Sequence, residues 1–434
     1  MSATVNKPEE QDQSYWAIVK RQFKKNRMAV WSLRFIYGVV FVGIMADFIA
    51  NDLPIACGYK GKTYFPIFNS YGVSLGISKW PTELANVDWH DLQYDWVLLP
   101  VIPYSPQFMD TKNSGFKAPM GTGQTVSSFR FTHFLGTDKL GRDVMSGMVH
   151  GTRVATMVGV ISMSIAVVIG ILLGAMAGYF GDSKLKMSRI RLWLNLIFLF
   201  LAIVYAFMVR SYALSDALSV SVGGFMVQLL ISGVIFVVIM IIPNLIVPVL
   251  KKVPFLGKQV SIPMDILISR LIEVKVSVPT LLLILSICAI MSKPSIFITM
   301  VVIGFLGWTG IAKYVRAELL KVRSLEFIEA AQALGLSEWR IIIRHAIPNS
   351  LTSVLITIAF GVAGAILTES SLSFLGIGVA PEQVTWGSLL SSARSEASAW
   401  WLAVFPGMAI FVTVTVFNLL GEGLTDAMDP RLKQ

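Results

Sequence analysis

Long apolar runs separated by short polar and basic stretches dominate the chain. They lie near residues 29–50, 154–179, 191–209, 223–250, 272–291, 295–312, 351–368 and 400–420. About 20 consecutive apolar residues suffice for an α-helix to cross the ~30 Å of hydrocarbon in a bilayer. Lipid offers no partners for backbone N–H and C=O groups, so each run is predicted to close its own hydrogen bonds as a helix. The pattern therefore predicts about eight membrane spans.

The polar segments differ in kind. Residues 1–28 form an N-terminal segment ahead of the first span, 29–50. Within it, Trp16, Val19 and Phe23 recur at helical spacing while Lys20, Lys24 and Arg27 turn elsewhere. A short helix lying in the cytoplasmic interface, with its basic side chains toward anionic lipid, is the expectation; a flexible basic tail is the alternative. The first span follows a polar stretch and ends without a small-x-small site, so it is expected to stay as an anchor.

Residues 51–152 are too long and too polar for a connector and carry Tyr59, Tyr64, Trp80, Trp89, Tyr94, Trp96, Pro100, Pro103 and Pro106. Such aromatic content predicts a compact extracytoplasmic subdomain rather than a disordered loop. Residues 153–434 then form the transmembrane core. In its first run Gly170, Gly174 and Gly178 recur every four residues, a face that lets a neighbouring helix approach closely.

Charge fixes an expected orientation. The net charge of +10 is spread over short segments beside the apolar runs rather than gathered in a basic domain, so a nucleic-acid partner is not expected. With the N-terminus inside, the cytoplasmic segments hold Lys20, Arg21, Lys24, Lys25 and Arg27, then Lys184, Lys186, Arg189 and Arg191, then Lys251, Lys252 and Lys258. Lys313, Arg316, Lys321, Arg323, Arg340 and Arg344 complete the set, whereas the short outer loops at 210–222 and 292–294 hold only Arg210 and Lys293. Both termini are thus expected in the cytoplasm.

Composition agrees: 55% of residues are hydrophobic, only 14% are charged, and mean hydropathy is +0.68. A soluble protein of this length carries nearer a quarter charged residues, on the order of 25%. The two cysteines, Cys57 and Cys288, fall in an outer loop and inside an apolar run and are not expected to pair. His90, His133, His150 and His345 are scattered without metal spacing or a nucleophile, so neither a catalytic nor a metal site is expected. Gly61-Lys62-Thr63 imitates the end of a phosphate loop, but Ala56 stands where its first glycine belongs. Glu273 and Lys275 near the start of the fifth run read as groups that snorkel to the interface. Glu369, with Ser370 and Ser371, reads equally as structural or as lining a pathway mouth.

One polar segment carries function. Between the sixth and seventh runs, within about 313–350, stands Glu326-Phe-Ile-Glu329-Ala330-Ala331-Gln-Ala-Leu-Gly335, followed by Arg340, Arg344, His345 and Pro348. Glu329, Ala330 and Ala331 are expected to open a short helix with a small face. Gly335 permits a sharp turn, and Pro348 starts the next membrane helix, where its missing N–H is harmless. The result is a rigid cytoplasmic knob.

This segment resembles the EAA loop of importer permeases of the ATP-binding-cassette (ABC) superfamily. His133-Phe-Leu-Gly-Thr-Asp138-Lys-Leu-Gly-Arg142-Asp143, Gly151-Thr-Arg153, Glu369-Ser-Ser-Leu-Ser-Phe-Leu-Gly-Ile-Gly378 and Gly421-Glu-Gly-Leu-Thr-Asp426-Ala-Met-Asp-Pro430-Arg431 resemble the signatures of its oligopeptide/dipeptide/nickel family. Ile49-Ala-Asn-Asp52-Leu-Pro54, Tyr64-Phe-Pro66 and Pro103-Tyr-Ser105 look like the branch that takes up microcin C and oligopeptides. One departure stands out: family members run from the Gly178-Tyr-Phe-Gly181 corner almost directly into a segment like Met264-Asp265, whereas about 183–262 is here an inserted pair of spans. The insertion is expected at the periphery, facing lipid.

The resemblance implies an all-α polytopic protein with the type I ABC importer permease fold. It implies a homologous second permease, two ABC ATPase domains and an extracytoplasmic solute-binding protein as partners. ATP and Mg would bind the ATPase subunits and no cofactor this chain, whose cargo would be a peptide. A permease for nickel or another small solute, or a gradient-driven secondary transporter, are the alternatives, the second calling for inverted repeats.

Overall fold

The computed structural model describes residues 15–428 except 86, 122, 221, 251–256, 291–294 and 381–382. Lys251, Lys252, Lys293, Pro430 and Arg431 lie outside the described residues. The chain divides into two compact units, one of residues 1–175 and 272–434 and one of residues 176–271.

The first unit begins with α1 (Tyr15–Lys25) and α2 (Arg27–Ile44), separated by Asn26, whose side chain accepts the Ala29 N–H and caps α2. The apolar side of α1 faces the last helix of the unit. Val19 and Phe23 pack on Leu424, Ala427 and Met428 at the end of the last helix, so protein covers the stripe and Lys20, Lys24 and Arg27 point outward.

Three long helices follow the subdomain described below: α5 (Val144–Ala175), α11 (Ile296–Val322) and α14 (Ile347–Phe374). The last long helix of the unit is α16 (Trp401–Met428). Glycines make the α5–α11 contact close from both sides. A Cβ at Gly174 would stand 2.6 Å from the Ala312 carbonyl oxygen, one at Gly170 2.7 Å from Ile311 Cβ, and one at Gly304 2.6 Å from the Ser162 carbonyl oxygen. Ser162 Oγ donates to the Met300 carbonyl at 2.8 Å across the same seam. Val158, Ile284, Met300, Ile303, Ala365 and Leu372 fill the core beside it.

The segment between α2 and α5 is ordered and partly β, which adds strand to the all-helical expectation. After the single turn α3 (Ala46–Ile49) come β1 (Ala56–Tyr59), β2 (Lys62–Tyr64), α4 (Pro66–Ser74) and β3 (Trp96–Leu98), with β1 between its two antiparallel neighbours. Lys60 and Gly61 both have positive φ, +50° and +73°, so the apparent phosphate-loop remnant is a tight hairpin turn. The subdomain also ends earlier than 152, because α5 already starts at Val144.

The second unit holds the insertion. α6 (Arg189–Ile203) passes through a π-helical turn, Val204–Met208, into α7 (Ser211–Val220), and α8 (Val222–Leu250) returns. The expected short loop at 210–222 is therefore largely helical. At one end β4 (Lys186–Ser188) pairs with β5 (Gln259–Ser261). Arg210 turns inward between the helices, where its Nε donates to Ser232 Oγ at 3.2 Å and its guanidinium also binds Gln228, while Arg191 donates to Asn244 at 2.9 Å on the exposed side.

The fifth expected span is not one straight helix. α9 (Met264–Ser277) and α10 (Thr280–Ile290) meet at 78°, and Pro279 at the joint explains the break, since proline disfavours helical geometry in the residue before it. Among the described residues seven helices are long and apolar enough to span a membrane, eight with this bent pair counted as one.

Candidate functional site

The knob is built by two short helices between α11 and α14. α12 runs Glu326–Ala333, opening three residues before the Glu329 expected from the motif, and Glu326 and Glu329 both fall in its first turn, where carboxylates favour the helix dipole. It ends in a Schellman closure: the Leu336 N–H donates to the Ala331 carbonyl at 3.2 Å and the Gly335 N–H to Gln332 at 2.9 Å. Gly335 supplies the left-handed residue this closure needs, at φ +74°.

α13 (Glu338–Ile341) follows and passes through a π-helical turn, Ile342–Ala346, straight into α14, with Pro348 in the first turn of that helix. Arg344 and His345 lie in the π turn, and Asn349 donates to the His345 carbonyl at 2.6 Å. No loop separates α13 from the membrane helix, whereas α12 is set off from both by the turn at Gly335.

Burial divides the knob into two faces. Ile328, Ala331, Ile341, Ile342 and Ala346 are buried against the chain itself. Ala331 therefore belongs to the inner face, whereas Glu326, Glu329, Ala330 and Gly335 are exposed. The motif did not point to the large apolar residues on the outer face: Phe327, Trp339, Ile343 and above all Leu334, 79% exposed. Phe327, Ala330 and Leu334 follow one another at i, i+3 and i+7, a stripe readable from the sequence once Ile328 and Ala331 are assigned inward.

The other marked residues sit apart from the knob. Glu369 is 2% exposed near the end of α14; Ser373 Oγ donates to it at 2.5 Å and Ser370 Oγ at 3.4 Å. The helix α15 (Trp386–Ser392), begun by a Thr385–Ser388 capping box, packs Gly387 onto Ser370 and Ser373. Ser371 Oγ turns back to the Leu367 carbonyl at 2.7 Å. Glu369 and Ser370 are thus enclosed within this chain rather than lining an open mouth. Gly170 and Gly174 face α11, while Gly178 lies in the π-helical turn Met176–Phe180 beyond α5.

The stretch from His133 to Asp143 is a clasp at the start of α5. Asp143 accepts the Ser146 N–H at 2.6 Å, capping the helix, and its other oxygen is 2.8 Å from His133 Nδ1. Asp138 accepts from Arg142 Nε at 2.7 Å. His133 stacks on Tyr104 at 4.4 Å and His90 on the same ring at 5.6 Å, bringing together two histidines that look scattered in the sequence. Among the described residues no cluster of metal-ligating groups forms.

Long apolar helices, two of them joined by a helical knob, define a polytopic membrane protein. Comparison with known proteins agrees. Residues 255–434 match the binding-protein-dependent transport system inner membrane component, and residues 14–61 match the N-terminal TM domain of oligopeptide transport permease C. The peptidoglycan transport system permease protein YejE of Agrobacterium fabrum is 27% identical over 434 residues, covering 95% of this chain and 92% of the relative. The inner membrane ABC transporter permease protein YejE of Escherichia coli is 26% identical, covering 96% and 97%. The oligopeptide transport system permease protein OppC of Haemophilus influenzae is 29% identical, covering 69% and 70%.

Two permease domains of binding-protein-dependent transport thus occupy this multi-pass membrane protein, and the relatives it matches along nearly its whole length are ABC transporter permeases. It is a transport component rather than an enzyme, and the family leaves no place for a gradient-driven secondary transporter.

Proposed function

We propose that this chain is one of two permease subunits of an importer for peptides or peptide-like compounds in a bacterial inner membrane, with α12 and α13 as the element that receives force from an ATPase subunit. The observation that carries the reading is the outer face of the knob. Phe327, Leu334 and Trp339 stand exposed on a charged segment that must face water, an arrangement that costs solvation unless a partner covers them. A cleft on an ATPase subunit would bury this face, and the direct passage of α13 into α14 would carry nucleotide-driven closure to the spans.

Relatives named for peptidoglycan, glutathione, dipeptide and oligopeptide transport support a peptide-like cargo, a class that includes microcin C. In this reading a homologous permease completes the pathway, two ATPase domains bind ATP and Mg, and a solute-binding protein delivers cargo from outside. The knob and both termini lie in the cytoplasm and the 51–143 subdomain outside. Leu334→Asp tests the docking: co-purification of the ATPase and peptide uptake by the reconstituted transporter should both be lost while the subunit still inserts. Full uptake in this variant would remove the knob from the mechanism.

A further inference from the structure

The helix α4 carries an apolar stripe that the coupling mechanism does not use. Phe65, Phe68, Tyr71 and Leu75 follow one another at i, i+3, i+6 and i+10, and all are exposed. Pro66 and Ile67 are buried on the opposite side. A Schellman closure ends the helix, with the Ile77 N–H donating to the Gly72 carbonyl at 2.8 Å and Gly76 at φ +72°. It fixes Leu75, 72% exposed, and Ile77, 80% exposed, as a rigid apolar end.

Two contacts set the depth of this helix. Tyr71 Oη donates to Asp47, which is held by Arg153 at 2.8 Å, and the Phe68 ring lies 5.4 Å from that of Phe48. Asp47 and Phe48 follow directly on the first membrane span, which ends at Ile44, so α4 is pinned at the level where hydrocarbon gives way to headgroups. The stripe continues through Phe48 onto Ile44, Phe41 and Tyr37, the exposed apolar face of α2. The helix itself bears no charge, whereas Lys62 and Lys79, both exposed, flank it in sequence.

We propose that α4 lies in the bilayer interface as a monotopic element, its Phe65–Phe68–Leu75–Ile77 side immersed among acyl chains and the flanking lysines toward lipid phosphates. An uncharged aromatic face continuous with a membrane span matches that layer, where aromatic rings and the ends of long basic side chains concentrate. Held there, α4 fastens the whole 51–143 subdomain to the membrane surface instead of leaving it hinged on its two connections.

Single cysteines at Phe68, Leu75 and Ile77, with Lys112 as an aqueous reference and Cys57 and Cys288 replaced by serine, would carry nitroxide labels. Collision with oxygen and with a water-soluble nickel chelate is then measured on the assembled transporter in phospholipid vesicles. Oxygen should dominate at 68, 75 and 77, and the order should reverse at 112. Nickel dominance at 75 and 77 would place the stripe in water, and low access to both reagents would place it under a protein partner; either overturns the proposal. Leu75 and Ile77, 72% and 80% exposed, take no part in the two contacts that set the depth of α4, so the labels at 75 and 77 decide the outcome whatever the label at 68 does to the Phe48 contact.

Discussion

Asp47 and Arg153 meet at 2.8 Å, and Arg153 Nε also donates to the Gly43 carbonyl at 2.9 Å, so one arginine on α5 closes the end of α2 and anchors the turn after it. Burial would raise the Asp47 carboxyl, but the bonds from Arg153 and Tyr71 outweigh it and hold the acid below its ordinary range. The Tyr71 hydroxyl is pushed up to about 12 by burial and by Asp47, so it remains a donor at physiological pH. Asp47→Asn should lower the stability of the α2–α5 contact by about 1.5–3 kcal/mol, the span for hydrogen bonds to charged groups. A lower melting temperature in detergent, with unchanged insertion, checks it.

The clasp around His133 gives a pH dependence. Burial alone would raise Asp110, but bonds from the Asn113 side chain, His133 and the Lys112 amide lower it. A carboxyl depressed by folding contributes fully above the ordinary aspartate value of about 3.9 and loses its contribution as pH falls through the lower folded value. The 51–143 subdomain should therefore become protease-sensitive on acidification below that range while the spans stay folded. Limited proteolysis across pH reads this directly.

His133→Ala removes the group between two carboxylates and takes from buried Asp143 its ring partner at 2.8 Å, leaving it the Ser146 N–H. The cost should be about 1–3 kcal/mol, the penalty for a buried acceptor that loses a hydrogen bond. Thermal unfolding of the subdomain should shift far more than it does for His345→Ala, whose side chain sits half-buried at the knob.

Close helix approach predicts a graded glycine series. Gly174→Ala puts a methyl 2.6 Å from the Ala312 carbonyl oxygen and should destabilise the bundle by about 1–3 kcal/mol, as overpacking does. Gly223→Ala meets open space and should be neutral or slightly stabilising, because alanine favours helix. Melting curves of the two variants decide it.

Cargo class has its own measurement. Uptake into vesicles holding the full transporter should be reduced by competing peptides and left unchanged by nickel. Competition by nickel with no effect of peptides would assign the chain to the small-solute alternative.

The spans, the basic segments and the α12–Gly335 turn were legible from residue order because each depends on local chemistry. Apolar length selects a membrane helix, and a left-handed closure selects glycine. Phase was harder. Ala331 turned inward and Leu334 outward because Ile328 and Ile341 find their burial in the body of the chain, a contact no local window contains. The apolar side of α1 was visible, but the presence of Leu424 and Met428 to cover it was not.

The sequence by itself determined the apolar spans and the short helix closed at Gly335 between two of them, since hydropathy and helix-closing chemistry act over a few residues. Only the tertiary structure decided that Glu369 is enclosed, that His90 and His133 share the Tyr104 ring, that the fifth span bends at Pro279, and that α4 is moored to Asp47. Those outcomes depend on side chains far apart in the chain competing for the same neighbours, and such a competition is settled only when the whole chain packs.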